Sequence, residues 1–270
     1  MNKKILNIAK LIRLAFIKRN ALSTYRFGEK VLKDKYFING DIKNKAQKES
    51  VVKRTDVINY LLNFFDTPTY LEIGVRNPDH NYNKVTCKQK YGVDPGLEFG
   101  SNPVKFKMTS DVFFEKLSSG DILGKEVKFD VIFIDGLHLA DQVERDISNS
   151  LKHLSENGFI VLHDCNPPTE FHASETYDYM LSPSQGAWNG TTWKAFAKYR
   201  KDLNVHSCCI DTDWGIGIIS KTTKLVNVSK VVNPYFEYFI MSENRKETLG
   251  LVDFETFCKM INENIHKDIK

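Results

Sequence analysis

The sequence predicts an α/β protein: a doubly wound, mostly parallel seven-stranded sheet ending in an antiparallel hairpin, preceded by a helical extension. Three observations predict it. Short apolar runs suited to buried strands alternate with amphipathic helical stretches from Ser50 to Asp164. The last two strand-like runs are separated only by Asp211-Thr212-Asp213-Trp214, too short for a crossover. Finally, 270 residues with 41% apolar and 27% charged content suffice for one substantial core and exclude a disordered or collagen-like chain.

The elements follow in order. Ile5, Ile8, Ala9, Ile12, Ala15 and Phe16 share one side of a helical projection, opposite Lys3, Asn7, Lys10 and Arg13, so residues 1–20 read as an amphipathic helix. Lys10 and Arg13 interrupt the apolar run and Lys18-Arg19 close it, which argues against a secretory signal or a spanning helix. Residues 21–49 are polar and carry little periodicity, and read as a connector with one short helix. Val51, Val52, Val57, Ile58, Leu61, Leu62 and Phe65 then set a helix over residues 50–65.

Strand-like runs occupy residues 70–75, 89–93, 104–108, 129–135 and 158–164, with a helix over 140–154 placed by Val143, Ile147, Leu151 and Leu154. The hairpin pairs residues 205–210 with 215–220, and two further helices are expected over 235–244 and 254–264. The resulting division is a basic helical extension (1–49), an α/β domain (50–224) and a helical segment packed on it (225–270).

Charge is unevenly distributed. Residues 1–50 hold 13 Lys/Arg against 4 Asp/Glu, leaving 25 against 30 for the rest. Such an arm suits anionic lipid, nucleic acid or an acidic partner, and equally suits a solvated basic helix. The five cysteines are odd in number and form no CxxC pair, as expected of reduced thiols in a cytoplasmic protein. Contact with the inner face of a membrane through the arm, and self-association, stay open.

The most informative stretch is 69–95. One apolar run ends in Glu72-Ile73-Gly74 and the next in Gly92-Val93-Asp94. Acids closing neighbouring strands, with a glycine behind the first, are how an open α/β sheet holds an adenosine-type cofactor: Asp94 for a ribose diol, Gly74 for the tight turn beneath it. Asp135-Gly136-Leu137-His138 and His163-Asp164 close two further strands at the same rim, where ligands bind.

Tyr70-Leu71-Glu72-Ile73-Gly74-Val75-Arg76-Asn77, Phe133-Ile134-Asp135-Gly136-Leu137-His138 and Val161-Leu162-His163-Asp164 resemble the class I S-adenosylmethionine-dependent methyltransferases. Within that class they are similar to a bacterial branch associated with sugar and natural-product O-methylation, over roughly Thr69 to Lys221. The resemblance implies a Rossmann-like fold and S-adenosylmethionine as cofactor, with Glu72 at its methionine or ribose part and Ser110 near the adenine. Where the family's first loop has its second and third glycines, this chain has Arg76 and Pro78. That departure weighs against NAD, whose pyrophosphate needs the glycines, and suggests Arg76 as a fork for the methionine carboxylate.

Two arrangements are open at the rim. Asp135, His163 and Asp164 could hold a divalent cation, although a histidine in the middle departs from the all-oxygen sets of metal-dependent relatives. Alternatively His138, ahead of His163, is a general base oriented by Asp135 or Asp164, and this is the favoured reading. Each histidine also has the plainer reading of a structural hydrogen bond at a strand end. The long segment 165–193 suits a lid, with Tyr177, Trp188 and Asn189 as acceptor contacts.

The sequence therefore predicts an O-methyltransferase acting on a saccharide or glycosylated small molecule, with surface polysaccharide synthesis as one setting. A catalytically silent nucleoside-binding module in an assembly complex is the alternative from another class. A nucleic-acid methyltransferase is a third, against which Asn166-Pro167-Pro168 is followed by Thr169 rather than a stacking aromatic.

Overall fold

The computed structural model describes residues 21–98, 102 and 104–265, so the helix expected over 1–20 lies outside the described residues. One sheet runs through the molecule in the order β2-β1-β3-β4-β6-β5-β7. Its strands are β1 (Thr69–Ile73), β2 (Gln89–Val93), β3 (Phe129–Ile134), β4 (Leu154–Leu162), β5 (His206–Ile210), β6 (Ile216–Ser220) and β7 (Leu251–Val252). β2, β1, β3 and β4 are parallel neighbours, whereas β6 lies antiparallel between β4 and β5. The predicted parallel sheet with its closing hairpin is thus present.

Helices cover both faces. They are α1 (Ala21–Leu32), α2 (Lys35–Lys48), α3 (Arg54–Leu62), α4 (Ser110–Ser119), α5 (Ala140–His153), α6 (Thr192–Tyr199), α7 (Tyr238–Glu243), α8 (Arg245–Leu249) and α9 (Phe254–Ile265). Successive strand residues point to opposite faces, and the core divides accordingly. Leu71, Ile132, Ile134 and Ile160 pack with Phe113, Leu117, Val143, Ile147, Trp193 and Phe196 from α4, α5 and α6. Tyr70, Val131, Phe133 and Val161 pack with Val57, Ile58, Leu61, Phe257 and Ile261 from α3 and α9. Strands buried on both faces explain why their sequences read as continuous apolar runs.

Two expectations need correction. Residues 104–108 do not form a strand: Phe106 makes a single bridge to Val93, and the Met108 amide then turns back onto the Phe106 carbonyl, which ends the ladder. The seventh strand is instead β7, parallel to β5 and only two residues long, too short for periodicity to reveal. Residues 21–49 hold two helices rather than a connector with one. Asp34 caps α2 by accepting from the amides of Tyr36 (2.8 Å) and Phe37 (3.4 Å). The α2 side chain that docks most deeply is a polar one, Asn44, so no apolar stripe marks the helix.

Among the described residues no helix is long and apolar enough to cross a membrane. All five cysteines are free thiols.

Candidate active site

Register makes the strand ends level. Ile73 is paired with both Val93 and Ile134, and Ile134 with Leu162. The ladder then extends one step beyond the strands: Gly74 N–H donates to Val93 O (2.9 Å), Asp135 N–H to Ile73 O (2.9 Å), and His163 N–H to Ile134 O (3.1 Å). Asp94, Gly74, Asp135 and His163 therefore leave four neighbouring strands along one carboxyl edge. Gly74 has φ +92°, and a Cβ there would stand 2.2 Å from the Asp135 carbonyl, so only glycine permits this approach.

At one end of the edge, Glu72 is buried, and its Oε2 accepts from Tyr70 Oη (2.6 Å) and Asn81 Nδ2 (2.8 Å). Burial pushes its carboxyl up to about 7, although those two hydrogen bonds pull the other way. Asn81 is steadied in turn by Thr55, whose hydroxyl donates to its Oδ1 at 2.6 Å. Asp94 Oδ1 accepts from Gly96 N–H (2.6 Å), and burial raises its pKa. Ser110 opens α4, but the cap is Thr109, which accepts from Val112 N–H (3.4 Å); the Ser110 hydroxyl accepts from Gln142 on α5 (3.2 Å). Arg76 is not brought to this group. It stands in solvent with its Nε 2.9 Å from Glu98.

The middle of the edge is a charged cluster. His138 Nε2 lies 3.3 Å from Asp135 Oδ1, and its Nδ1 lies 3.0 Å from Trp188 O and 3.3 Å from Asp164 Oδ2. Carbonyl and carboxylate oxygens only accept, so both ring nitrogens face acceptors and the imidazolium is the matching form. Burial opposes that charge, but Asp164 and Asp135 outweigh it and raise the pKa to about 9. His163 Nδ1 is 3.3 Å from Asp135 and 3.0 Å from Asp164, and its Nε2 is 3.7 Å from Asp213. Neither nitrogen is aligned for a hydrogen bond, so these are through-space contacts of a buried ring. Burial and Arg54 disfavour its charge, yet Asp164 and Asp135 raise its pKa well above 6.5. Asp164 adopts a left-handed φ of +62° and accepts from Asn189 Nδ2 at 2.7 Å.

Two members of the cluster escape sequence reasoning. Arg54, the first residue of α3, places Nη1 2.7 Å from Asp135 Oδ2 and Nε 2.9 Å from Asp213 Oδ2. Asp213 comes from the β5–β6 turn and also accepts from the Arg54 backbone N–H (3.0 Å), capping the helix. Burial alone would raise both carboxyls, but His163 and Arg54 hold Asp135 and Asp213 well below the usual carboxylate range. The sequence signals were faint: a cation opening a helix that leads into the first strand, and an acid in a four-residue hairpin loop.

Above the cluster lies the segment between β4 and α6, whose only helical turn is Tyr179–Leu181. Trp188 stacks on His138 with centroids 5.4 Å apart, and Tyr177 follows at 5.7 Å from Trp188. Tyr177 is exposed, whereas Asn189 is fully buried and spends its amide on Asp164. Asn189 therefore serves the cluster rather than an acceptor surface.

A cation is the remaining question of fit. Single donor atoms of Asp135, His138 and Asp164 lie within 4.8 Å of one another, and His163 Nδ1 also lies 3.3 Å from Asp135 and 3.0 Å from Asp164. Magnesium requires a near-octahedral oxygen shell, and a triad with either histidine offers an imidazole. The second oxygen of Asp135 is moreover engaged by a guanidinium. The donor set does not fit magnesium.

Residues 80–165 match the family model of a methyltransferase domain, a stretch that includes Asp94, Ser110, Asp135, His138, His163 and Asp164. The matched stretch spans β2, β3 and β4, so this part of the chain is similar to a methyltransferase domain. No curated protein matches the chain. Among solved structures, an O-methyltransferase from Bacillus cereus in complex with SAH is 14% identical, with a TM-score of 0.41 over 69% of this chain and 89% of that one. The SAH-bound Podospora anserina methyltransferase PaMTH1 is 13% identical, with a TM-score of 0.43 over 75% and 97%. The MycE methyltransferase of mycinamycin biosynthesis, in complex with Mg, SAH and mycinamycin VI, is 13% identical, with a TM-score of 0.38 over 67% and 50%.

Proposed function

We propose that the chain is an S-adenosylmethionine-dependent O-methyltransferase whose acceptor is a carbohydrate or a glycosylated small molecule. The observation that supports this most is the single edge to which four adjacent strands bring Asp94, Gly74, Asp135 and His163, with His138 against them. S-adenosylmethionine supplies an activated methyl group on a sulfonium centre, so the chain's tasks are to bind, to align and to move one proton.

Glu72 and Asp94 each keep one carboxylate oxygen outside the hydrogen bonds described above, and these oxygens suit the cofactor's amino group and ribose diol. His138 is the base. Its Nδ1–H is fixed on the Trp188 carbonyl, which leaves Nε2 as the nitrogen that first gives its proton to solvent, more readily as pH rises toward the His138 pKa of about 9, and then takes one from the acceptor hydroxyl. Asp135 and Asp164 stabilise the imidazolium that results. Trp188 shields one face of the ring from water and continues through Tyr177 to the surface, an aromatic run that suits the apolar face of a sugar. The free thiols suit a reducing compartment, and we place the reaction in the cytoplasm.

Calorimetry with S-adenosylhomocysteine, followed by labelled methyl transfer to a panel of saccharides and glycosides, tests the reading. His138→Asn should lower transfer by about 10² to 10⁴ fold, the usual worth of a general base, while S-adenosylhomocysteine binds within about threefold of wild type. Failure of the wild-type protein to bind S-adenosylhomocysteine ends the proposal.

A further inference from the structure

We infer that Arg54 is the resident cation of the Asp135–Asp164–Asp213 cluster, meeting with a guanidinium the electrostatic demand that a divalent metal would otherwise meet, and that it is the positioning residue for Asp135. The inference deepens the reading of the same site given above, but it stands on the geometry of the cluster alone.

Three carboxylates surround His163, and buried carboxylates require compensation. Arg54 reaches two of them, at 2.7 Å to Asp135 and 2.9 Å to Asp213. Apart from the two histidine rings, there is Lys53, which stands 3.8 Å from Asp213 on a partly exposed side chain, where solvent screening leaves it little influence.

Arg54 is also held differently from an ordinary surface arginine. The same Asp213 oxygen accepts from its backbone N–H and from its Nε, so one carboxylate fixes both the helix end and the side chain growing from it. Asp213 adopts a left-handed φ of +44° and the following Trp214 one of +67°, the kind of strain that persists where the surroundings determine it. Gln47 of α2 secures that turn by accepting from the Trp214 N–H at 2.7 Å.

The consequence for Asp135 is directional. Its Oδ2 is committed to Arg54, which turns Oδ1 toward both histidines. A guanidinium stays protonated at any working pH, so this compensation depends on no ion supply. A dication approaching Asp135 would meet a positive charge already in contact with it.

Manganese(II) binding to the intact chain, followed by paramagnetic resonance and calorimetry, tests the inference without needing an acceptor. Wild type should bind Mn²⁺ weakly. Arg54→Met, which keeps much of the stem and loses the charge, should bind it on the order of tenfold or more tightly, because two buried carboxylates lose their partner. Arg54→Lys should stay near wild type, and Asp135→Asn added to Arg54→Met should erase the gain. A folded Arg54→Met protein with no gain overturns the inference. So does tight Mn²⁺ binding by wild type that Asp135→Asn removes, an arm that needs no Arg54 variant to fold. Binding of S-adenosylhomocysteine in the same samples keeps the two readings apart, since it can fail or succeed whatever the manganese result.

Discussion

Glu72 takes both of its hydrogen bonds on one oxygen and sits in surroundings that favour its neutral form. Its folded pKa of about 7 exceeds the ordinary 4.5, so the stability this group contributes is full below pH 4.5 and is lost as pH rises through 7. Cofactor binding should run the other way, because only the carboxylate can pair with an ammonium. From pH 8 to pH 6 the ionised fraction falls from roughly nine-tenths to one-tenth, and affinity for S-adenosylhomocysteine should fall about tenfold. Calorimetry at both pH values checks this. Glu72→Gln should bind more weakly with no such slope, and an identical slope in that variant would remove Glu72 from the explanation.

Residues at the ends of apolar runs were legible in the sequence, since a charge closing a buried strand has few places to go but the ligand edge. That reasoning placed Asp94, Asp135, His138, His163 and Asp164 just beyond the strand ends, where the structure has them. Arg54 and Asp213 were not legible, because their significance lies in a contact between positions 159 residues apart that no local pattern encodes. Arg76 illustrates the opposite hazard. Proximity to Gly74 in sequence suggested a place at the ligand, yet its side chain leaves the edge for Glu98.

At the scale of elements, the helix that sequence periodicity missed is tied into the carboxyl edge of the sheet. Asn44 on α2 donates through Nδ2 to Ser184 O (3.0 Å), and its Oδ1 lies 2.8 Å from His172 Nε2. An amide oxygen can only accept, so Nε2 carries the hydrogen and Nδ1 accepts from the Thr169 hydroxyl at 2.8 Å. This single neutral tautomer accords with burial lowering the His172 pKa to about 4. The His172 carbonyl then receives the N–H groups of Asn189 (3.1 Å) and Gly190 (3.0 Å), which sets the amide that holds Asp164.

Gly190 has φ +60° and lies so close to the His138 carbonyl that a Cβ would stand 2.1 Å from it. The segment between β4 and α6 therefore sits directly on His138. Asn44→Leu, similar in volume, would strand the His172 Nε2–H, while the Ser184 carbonyl keeps the Ala187 N–H, and should destabilise by about 1–3 kcal/mol in urea unfolding. Unchanged stability would mean that α2 is only laid against the lid. Helix periodicity could not have revealed this, since the anchoring side chain is polar.

The whole molecule rests on a sheet covered on both sides, and β3 is an interior strand between β1 and β4. Phe133 is fully buried against the α3 and α9 side, one residue from Ile134 on the opposite side and two from Asp135. Phe133→Ala should cost about 3–5 kcal/mol, read from the shift of the denaturation midpoint. A loss below about 1 kcal/mol would show that this layer repacks freely. The overall architecture was legible because apolar runs and helical stripes repeat over many residues. Its margins were not, since a one-residue bridge at Phe106 and the two-residue β7 carry too few positions to form a pattern.

Asp213 has one more consequence, for the newborn chain. Arg54, Asp135, His138 and Asp164 all leave the ribosome before the β5–β6 turn exists, so the guanidinium and its acids meet without the carboxylate that anchors them. The charged cluster is complete only when the β5–β6 hairpin pairs beside β4. Synthesis that halts before residue 213 would leave a polypeptide with five of the seven strands and Arg54 without the carboxylate that holds it.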